Sequence, residues 1–180
     1  MNENKSRFKV AAIQDSPVFL NKDATIEKAC ALIKKAASNG ASLVLFPETF
    51  ISAYPDWVWT VPPSNTKMMG ELFKGLHDSA ITVPDNSIDK LCKAAKDSNI
   101  FVIIGANEKN SDLSNASLYN SIIYISAEGE LLGTHRKLIP TGGERLMWVG
   151  GDGKSLVSFD TELGKIGGLI PNGLHSRSQM

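Results

Sequence analysis

The order of apolar segments near the start of the chain restricts it to few fold classes. Residues 8–14 (FKVAAIQ) form a short apolar run rich in β-branched and aromatic side chains, and residues 42–46 (SLVLF) form a second, continuously apolar run. Between the two runs, apolar residues recur at the spacing of one helix face, at Ile26, Ala29, Cys30, Ile33 and Ala37. A buried strand, a helix and a second strand covered on both faces predict an α/β fold in which the two strands are parallel neighbours.

The rest of the sequence adds two helices, a further apolar strand and two hairpins to this unit. The first helix has Asn21 or Asp23 as its candidate N-cap, and Asn39-Gly40 supplies a left-handed stop. The other predicted elements are helices over 65–77 and 87–98 with core-facing apolar sides, a buried strand over 101–106, a polar loop over 107–115, a hairpin over 121–136 that turns at 128–130, a turn over 151–153 and a last hairpin over 155–170.

Length and charge exclude several classes of protein. The 180 residues suit one domain, and 42% hydrophobic against 21% charged residues is typical of a globular protein with a sizeable core. The net charge is zero without a long run of Lys or Arg, which disfavours nucleic acid and membrane partners. The start, MNENKSRFKV, has no apolar signal core and no window reaches the length of a transmembrane span, so we expect a cytoplasmic protein.

The two cysteines, Cys30 and Cys92, fall on the apolar faces of predicted helices. This position favours reduced, buried thiols over a disulfide. We therefore expect both thiols to be structural.

Residues 134–148 (THRKLIPTGGERLMW) combine groups that an ordinary surface turn does not require. The hairpin before this loop places Lys137 at a strand end. Pro140 then removes a backbone donor, and the glycine pair that follows permits positive φ, so Glu144 can fold back towards Lys137. The alternative is a solvated loop with a surface ion pair, which would contribute little to stability.

Glu48 follows the apolar run 42–46 and therefore lies at the end of a central strand, ahead of a segment rich in aromatic residues and prolines (49–65). Desolvation at such a position makes a carboxylate more basic unless a cation compensates, so Glu48 is a candidate general base. If Glu48, Lys137 and Glu144 converge, they form a cluster of three titratable groups that the stability of the fold does not require. It favours a catalytic site, although composition and spacing do not identify the reaction.

Longer strings identify the chain by resemblance. LVLFPETFISAYPDW, THRKLIPTGGERLMWVGGDG and FDTELGKIGGLI resemble the nitrilase branch of the carbon–nitrogen hydrolase superfamily, over residues 8–170. The resemblance implies that Glu48 is the general base, that Lys137 stabilises the tetrahedral intermediate and that Glu144 supports the site. It also implies a nucleophilic cysteine directly after GGLI, where this sequence has Pro171.

The fold implied by the resemblance is the four-layer αββα sandwich of that superfamily, incomplete at its C-terminus. Residues 1–170 would be the N-terminal part of the hydrolase domain. Residues 171–180 match none of the family pattern and would form an unrelated tail. The loss of the pattern at a single residue indicates truncation or a change of reading frame rather than gradual divergence.

The family reaction requires the absent thiolate. In that reaction the thiolate adds to a nitrile carbon to give a thioimidate, which loses ammonia and is hydrolysed through a thioester to the acid, without a metal or an organic cofactor. Cys30 and Cys92 lie inside helices, and Ser176 and Ser178 have no assigned base. His135, in a strand, is more typical of a hydrogen-bonding scaffold residue than of a catalytic imidazole. We expect the chain as given to be inactive.

Substrate and partners follow from the resemblance too. The candidate pocket walls for an organic nitrile are aromatic: Tyr54, Trp57, Trp59 and Trp148. Family members associate through large surfaces, which implies a homo-oligomer. An amide or carbamoyl hydrolase of the same superfamily remains an alternative, although YPDW and HRKLIPTGGER look more like nitrilases. An inactive subunit or oligomerisation module is the alternative from another class.

Overall fold

The computed structural model of the chain describes residues 7–110 and 116–170. The expectations for Pro171, for Ser176 and Ser178 and for a separate tail over 171–180 lie outside these residues, as does the 111–115 part of the predicted polar loop.

A mixed sheet forms the centre of the described structure. Within residues 7–110 and 116–170, its strands lie side by side in chain order: β1 (Val10–Ala12), β2 (Leu43–Leu45), β3 (Phe101–Lys109), β4 (Leu118–Ile125) and β5 (Leu131–Arg136). β1, β2 and β3 are parallel, whereas β4 is antiparallel to both β3 and β5. The prediction that the first two strands are parallel neighbours is confirmed, as is the β4–β5 hairpin. A second, separate hairpin consists of β6 (Phe159–Thr161) and β7 (Gly164–Ile166).

The helices in the described ranges are α1 (Lys22–Ser38), α2 (Thr66–Asp78) and α3 (Asn86–Ser98). Each begins with a side-chain oxygen that accepts a hydrogen bond from a backbone N–H of the first turn, from Asn21, Asn65 and Asp85 respectively. Asn21 rather than Asp23 is therefore the N-cap of α1. Gly40, with φ of +78°, provides the left-handed stop after that helix, as predicted.

The main core lies between the sheet and the pair α1 and α3. The two helices contribute buried apolar side chains such as Ile33 and Leu91, and the strands contribute Val44, Val102 and Ile104. Burying a side chain of this size stabilises the fold by about 1.5–3 kcal/mol relative to leaving it in water. This helix-covered face holds the strand ends that carry the candidate site in fixed positions.

The opposite face of the sheet is less covered than the sequence predicts. Val10 is 50% exposed and Leu45 is 43% exposed, so the expectation of buried β1 and of β2 covered on both faces is wrong for these positions. The reason is topological. Within the described residues β1 is an edge strand, and the β6–β7 segment packs over Phe101 and Ile103 rather than over β1.

Some element boundaries also differ from the prediction. β3 continues to Lys109 because it pairs with β4 as far as Leu118, so residues 107–109 are strand rather than loop. β7 ends at Ile166, so residues 167–170 are not strand, and they are attached to the sheet where the Tyr124 hydroxyl donates to the carbonyl of Gly168 at 3.3 Å. In α2 the predicted core face is incomplete, since Met68 is exposed.

Cys30 and Cys92 are free thiols, but both are half-buried rather than buried. Burial raises the pKa of each. As to membranes, none of the helices that the structure describes combines the length and the apolar character needed to span one.

Candidate active site

Three charged side chains meet where β2 and β5 end. The Lys137 ammonium lies 3.2 Å from Glu48 Oε1 and 2.8 Å from Glu144 Oε2. The Lys137 side chain is 3% exposed, that of Glu144 is 5% exposed and that of Glu48 is 34% exposed. The structure therefore brings together the three residues selected from the sequence, and it excludes a solvated surface ion pair between Lys137 and Glu144.

The position of Lys137 is fixed by its own backbone. Its N–H donates to the carbonyl of Asn120 at 2.8 Å, which extends the pairing of β5 with β4 by one residue. Its carbonyl accepts from the N–H of Gly151 at 2.8 Å. The amine therefore extends from a rigid strand end rather than from a free loop.

Glu144 is held by the short helical turn that contains it. The Thr141 N–H donates to Glu144 Oε2 at 2.6 Å, and the two residues form a capping box. The Tyr54 hydroxyl donates to Oε1 at 2.8 Å. Burial raises the pKa of Glu144, but the hydrogen bonds from Lys137, Thr141 and Tyr54 outweigh it and leave this pKa below its usual range. Glu144 is thus an ionised anchor for the lysine.

Tyr54 connects this anchor to the aromatic segment. Its hydroxyl accepts a hydrogen bond from Trp59 Nε1 at 3.3 Å while donating to Glu144. Burial and the hydrogen bond to Glu144 raise the pKa of Tyr54. The phenol therefore stays protonated near neutral pH and serves as a donor to the carboxylate.

Glu48 is carried by a sharply bent segment that lies against β3. Thr49 adopts a left-handed backbone (φ +47°), so the chain turns directly after the acid. A Cβ at Gly105 would lie 2.5 Å from both the Pro47 oxygen and the Thr49 nitrogen. Only glycine lets the two backbones approach this closely, a requirement that was not predicted from the sequence.

Asn120, a second residue not predicted from the sequence, lies directly against Glu48. Its Nδ2 donates to Glu48 Oε1 at 2.6 Å, and the residue is 1% exposed. A signal was available, because asparagine is depleted in strands and a buried amide needs partners. An asparagine within the mostly apolar strand LYNSIIYI therefore points to a specific contact.

Asn107 joins the two loops of the site. Its Nδ2 donates to the carbonyls of Ile51 and Ala53 at 3.2 and 3.0 Å, and its Oδ1 accepts from Trp148 Nε1 at 2.9 Å. The segment that follows Glu48 and the segment that follows Glu144 are thus attached to one buried amide on β3.

The aromatic residues proposed as pocket walls fall into two groups. Trp57 and Trp148 are buried in a second apolar cluster, and Trp148 packs edge-on against the Tyr54 ring at 5.6 Å between centroids. The Tyr54 hydroxyl instead donates directly to Glu144, and Trp59 connects to the charged cluster through its hydrogen bond to that hydroxyl. The structure therefore brings Tyr54 and Trp59 to the charged groups and places Trp57 and Trp148 behind them.

Glu48 lines two of the cavities in the described part of the chain. One, of about 180 Å³, is mainly apolar and includes Leu45, Ile103 and Ile170 in its lining. The other, of about 430 Å³, lies against Phe19, Phe50, Tyr54 and Asp56. Because Ile170 lines the first cavity, the segment that leads to position 171 ends beside the acid.

His135 makes contacts typical of a scaffold residue. It is buried, and its Nδ1 lies 3.2 Å from the carbonyl oxygen of Ser155, to which it donates in the tautomer protonated at Nδ1. Among residues 7–110 and 116–170, no group of three His, Cys, Asp or Glu side chains is arranged to hold a metal ion.

These features define a buried cluster of two acids and one lysine on an α/β scaffold, and comparison with known proteins gives the family. A sequence model described as carbon–nitrogen hydrolase matches residues 9–178, and the chain belongs to that family. The resemblance recognised from the sequence motifs is thereby confirmed.

Individual relatives are nitrilases. The chain is 37% identical to a nitrilase of Bacillus sp. (strain OxB-1) over 166 residues, which cover 92% of this chain and 47% of the relative. It is 36% identical over 164 residues to an aliphatic nitrilase of Rhodococcus rhodochrous, with 91% of this chain and 41% of the relative covered. The chain thus spans about half the length of the curated relatives it matches.

A solved structure agrees on the fold. Nit3 of Saccharomyces cerevisiae, a member of branch 10 of the nitrilase superfamily, superposes with a TM-score of 0.68 at 23% identity, over 89% of this chain and 54% of the other.

Proposed function

We propose that the described residues form the acid–lysine–acid part of a nitrilase site, in which an organic nitrile is hydrolysed to a carboxylic acid and ammonia. The observation that carries the proposal is the contact of the Lys137 ammonium with both Glu48 and Glu144, with Ile170 lining a cavity beside Glu48. Position 171, where the family resemblance puts the nucleophile, directly follows that residue.

Each charged group has a role that its contacts suit. Glu48, the most exposed of the three, is the general base that takes the proton first from the thiol and then from water. Lys137 donates a hydrogen bond to the atom on which negative charge develops when the thiolate adds to the nitrile carbon. Glu144 is fully occupied by donors, so it orients Lys137 rather than transferring protons.

The second cavity is the proposed site for the organic group of the nitrile. It combines aromatic surface from Phe19, Phe50 and Tyr54 with the carboxylates of Glu48 and Asp56, and none of its lining residues is cationic. Such a lining suits a neutral aromatic or arylalkyl group and disfavours a substrate that carries a carboxylate near the nitrile.

We further propose the finer fold and assembly implied by the family. The sheet with α1 and α3 would be one half of a four-layer αββα sandwich, and the partly exposed face with Val10 and Leu45 would be an internal face of that sandwich. Association into a homo-oligomer and a cytoplasmic location, in keeping with two free thiols, complete this proposal.

A second candidate is favoured by Pro171, which lacks the thiol that the reaction requires. On this alternative the chain is an inactive subunit that associates with active family members. The two candidates differ in whether the described residues support turnover once a nucleophile is supplied.

The test is a chimera in which residues 1–170 are joined to the C-terminal half of a nitrilase, beginning with its nucleophilic cysteine. We expect ammonia and the carboxylic acid from a panel of aryl and arylalkyl nitriles, and no product from the 180-residue chain or from the chimera with its cysteine replaced by alanine. A chimera that folds but releases no ammonia from any nitrile would favour the inactive subunit.

A further inference from the structure

The environment of Glu48 is asymmetric. Its Oε1 accepts two hydrogen bonds, one from Asn120 Nδ2 at 2.6 Å and one from Lys137 Nζ at 3.2 Å. Within residues 7–110 and 116–170, Oε2 accepts none. Both donors therefore occupy one oxygen, and the other oxygen keeps its lone pairs for a proton.

The orientation of the Asn120 amide follows from chemistry. At 2.6 Å from a carboxylate oxygen, the NH₂ group is attractive and the carbonyl oxygen is repulsive, so Nδ2 must face Glu48. The Oδ1 atom is buried and has no hydrogen-bond partner in the described part of the chain. Glu48 is thus the side-chain contact that orients the amide, and the amide in turn restrains Glu48.

The backbone links this pair to the lysine. The Asn120 carbonyl accepts the N–H of Lys137 at 2.8 Å, so one residue on β4 contacts the base through its side chain and the lysine through its main chain. Glu144 depends on other groups, Tyr54 and Thr141. Asn120 is therefore the point at which the geometry of Glu48 relative to Lys137 is set.

We propose that Asn120 is a positioning residue for the general base: it holds Glu48 Oε1 towards Lys137 and leaves Oε2 as the oxygen that accepts the proton. The catalytic part of this inference rests on the proposed function, whereas the positioning itself does not. Asn120 does not touch the reacting atoms, so its effect on the reaction passes through Glu48.

The first experiment uses the 180-residue chain and nuclear magnetic resonance. In protein labelled with ¹⁵N-asparagine, the side-chain amide signal of Asn120 is assigned by its loss in Asn120→Leu. We expect that signal to shift in Glu48→Gln and to stay near its original position in Glu108→Gln, which neutralises a buried carboxylate bound to Ser121 and Arg136 instead. An Asn120 signal that is unaffected by Glu48→Gln would overturn the inference.

The second readout is the order of the Glu48 side chain. In Asn120→Leu, ¹³C relaxation at Glu48 Cγ should report greater motion, while Glu144 Cγ, which has its own donors, stays unchanged as the internal control. Asn120→Ala removes the donor without adding a charge and should give the same result if the leucine variant folds poorly. If the Glu48 side chain is equally mobile with and without the Asn120 amide, the proposal that Asn120 positions Glu48 is contradicted.

The catalytic readout uses the chimera described above. Asn120→Leu should lower kcat by about 10- to 100-fold and leave KM within about twofold, because a misplaced base slows proton transfer without removing substrate contacts. An unchanged kcat would overturn the catalytic part. If the unsubstituted chimera is inactive, the proposed function fails, and the two resonance experiments still decide whether Asn120 positions Glu48.

Discussion

Replacement of Lys137 by methionine tests, through the free energy of unfolding rather than through activity, whether the charges of the site are buried and mutually stabilising. Methionine fills nearly the same volume but removes the ammonium that lies between Glu48 and Glu144. Taking one partner from a buried ion pair typically costs about 3–5 kcal/mol, because the remaining charge stays desolvated. The Glu48 pair adds little to this cost, since a carboxylate that is 34% exposed is screened by water to about 0–1 kcal/mol.

The contacts of Glu144 place the expected cost near the lower limit. Its carboxylate keeps the hydrogen bonds from the Tyr54 hydroxyl and the Thr141 N–H after the lysine is removed. We therefore expect Lys137→Met to lower the free energy of unfolding by about 3 kcal/mol. The double variant Lys137→Met/Glu144→Leu should be more stable than the sum of the two single losses predicts, by at least about 1 kcal/mol.

The assay is urea denaturation at low protein concentration, monitored by tryptophan fluorescence. The midpoints are compared only if the m-value is the same in the variant and in the unsubstituted chain. Lys165→Met is the matched control. It removes a lysine whose 2.7 Å pair with Asp160 is exposed, with side-chain exposures of 68% and 82%, and should change stability by less than about 0.5 kcal/mol. If Lys137→Met costs no more than this control, the argument for a desolvated cluster is wrong.

Three further predictions follow from other parts of the site. Gly105→Ala should destabilise the chain by about 1–3 kcal/mol, because the added Cβ would clash with the backbone that carries Glu48. Gly70→Ala, on α2 where a Cβ meets no atom, should be neutral or stabilising by up to about 1 kcal/mol. Thermal unfolding of both variants checks this prediction, and equal effects would contradict it. The folded-state pKa of Glu144 lies below its ordinary value of 4.5, so the stabilisation from its ionised carboxylate is complete above that value and is lost as the pH falls towards the folded-state pKa. Urea midpoints across this range should therefore fall less steeply with decreasing pH in Glu144→Gln than in the unsubstituted chain. Parallel curves would count against an ionised, stabilising Glu144. Pro171→Cys alone should release ammonia far more slowly than the chimera, because a nucleophile needs rigid support within about 3 Å of its base, and the chimera supplies that support from the C-terminal half of a nitrilase. Similar rates would show that the 180 residues need nothing more than the thiol.

Local patterns in the sequence were sufficient for most of the fold. Apolar periodicity located α1, α2 and α3, with capping residues as a further signal for α1, and the β4–β5 hairpin followed from alternation and its turn residues. The proline and the glycine pair after Lys137 correctly indicated that Glu144 folds back onto the lysine. These features depend on neighbours in the chain, which a single sequence contains.

The features that were mispredicted or missed depend on contacts between segments that are distant in the sequence. The exposure of Val10 and Leu45 depends on which segments pack on that face of the sheet. An apolar run predicts a strand but does not show which segments pack against it. Asn120 and Gly105 act on Glu48 from strands more than fifty residues further along the chain, so their roles emerge only when the strands are aligned. Trp57 and Trp148 lie in the second apolar cluster, a position that also depends on packing between distant segments. Their contribution to a substrate pocket stays a prediction.

The most direct test of the central claim is kcat/KM for ammonia release by the chimera and by three variants that remove one charge each: Glu48→Gln, Lys137→Met and Glu144→Gln. We expect a loss of about 1,000-fold or more for the first two, since each removes a group that acts on the reacting atoms, and a smaller but clear loss for Glu144→Gln, which acts through Lys137. Lys165→Met should retain the activity of the unsubstituted chimera. Retention of kcat/KM within about tenfold by Glu48→Gln or Lys137→Met would contradict the assignment of these residues as the base and the lysine of a nitrilase site.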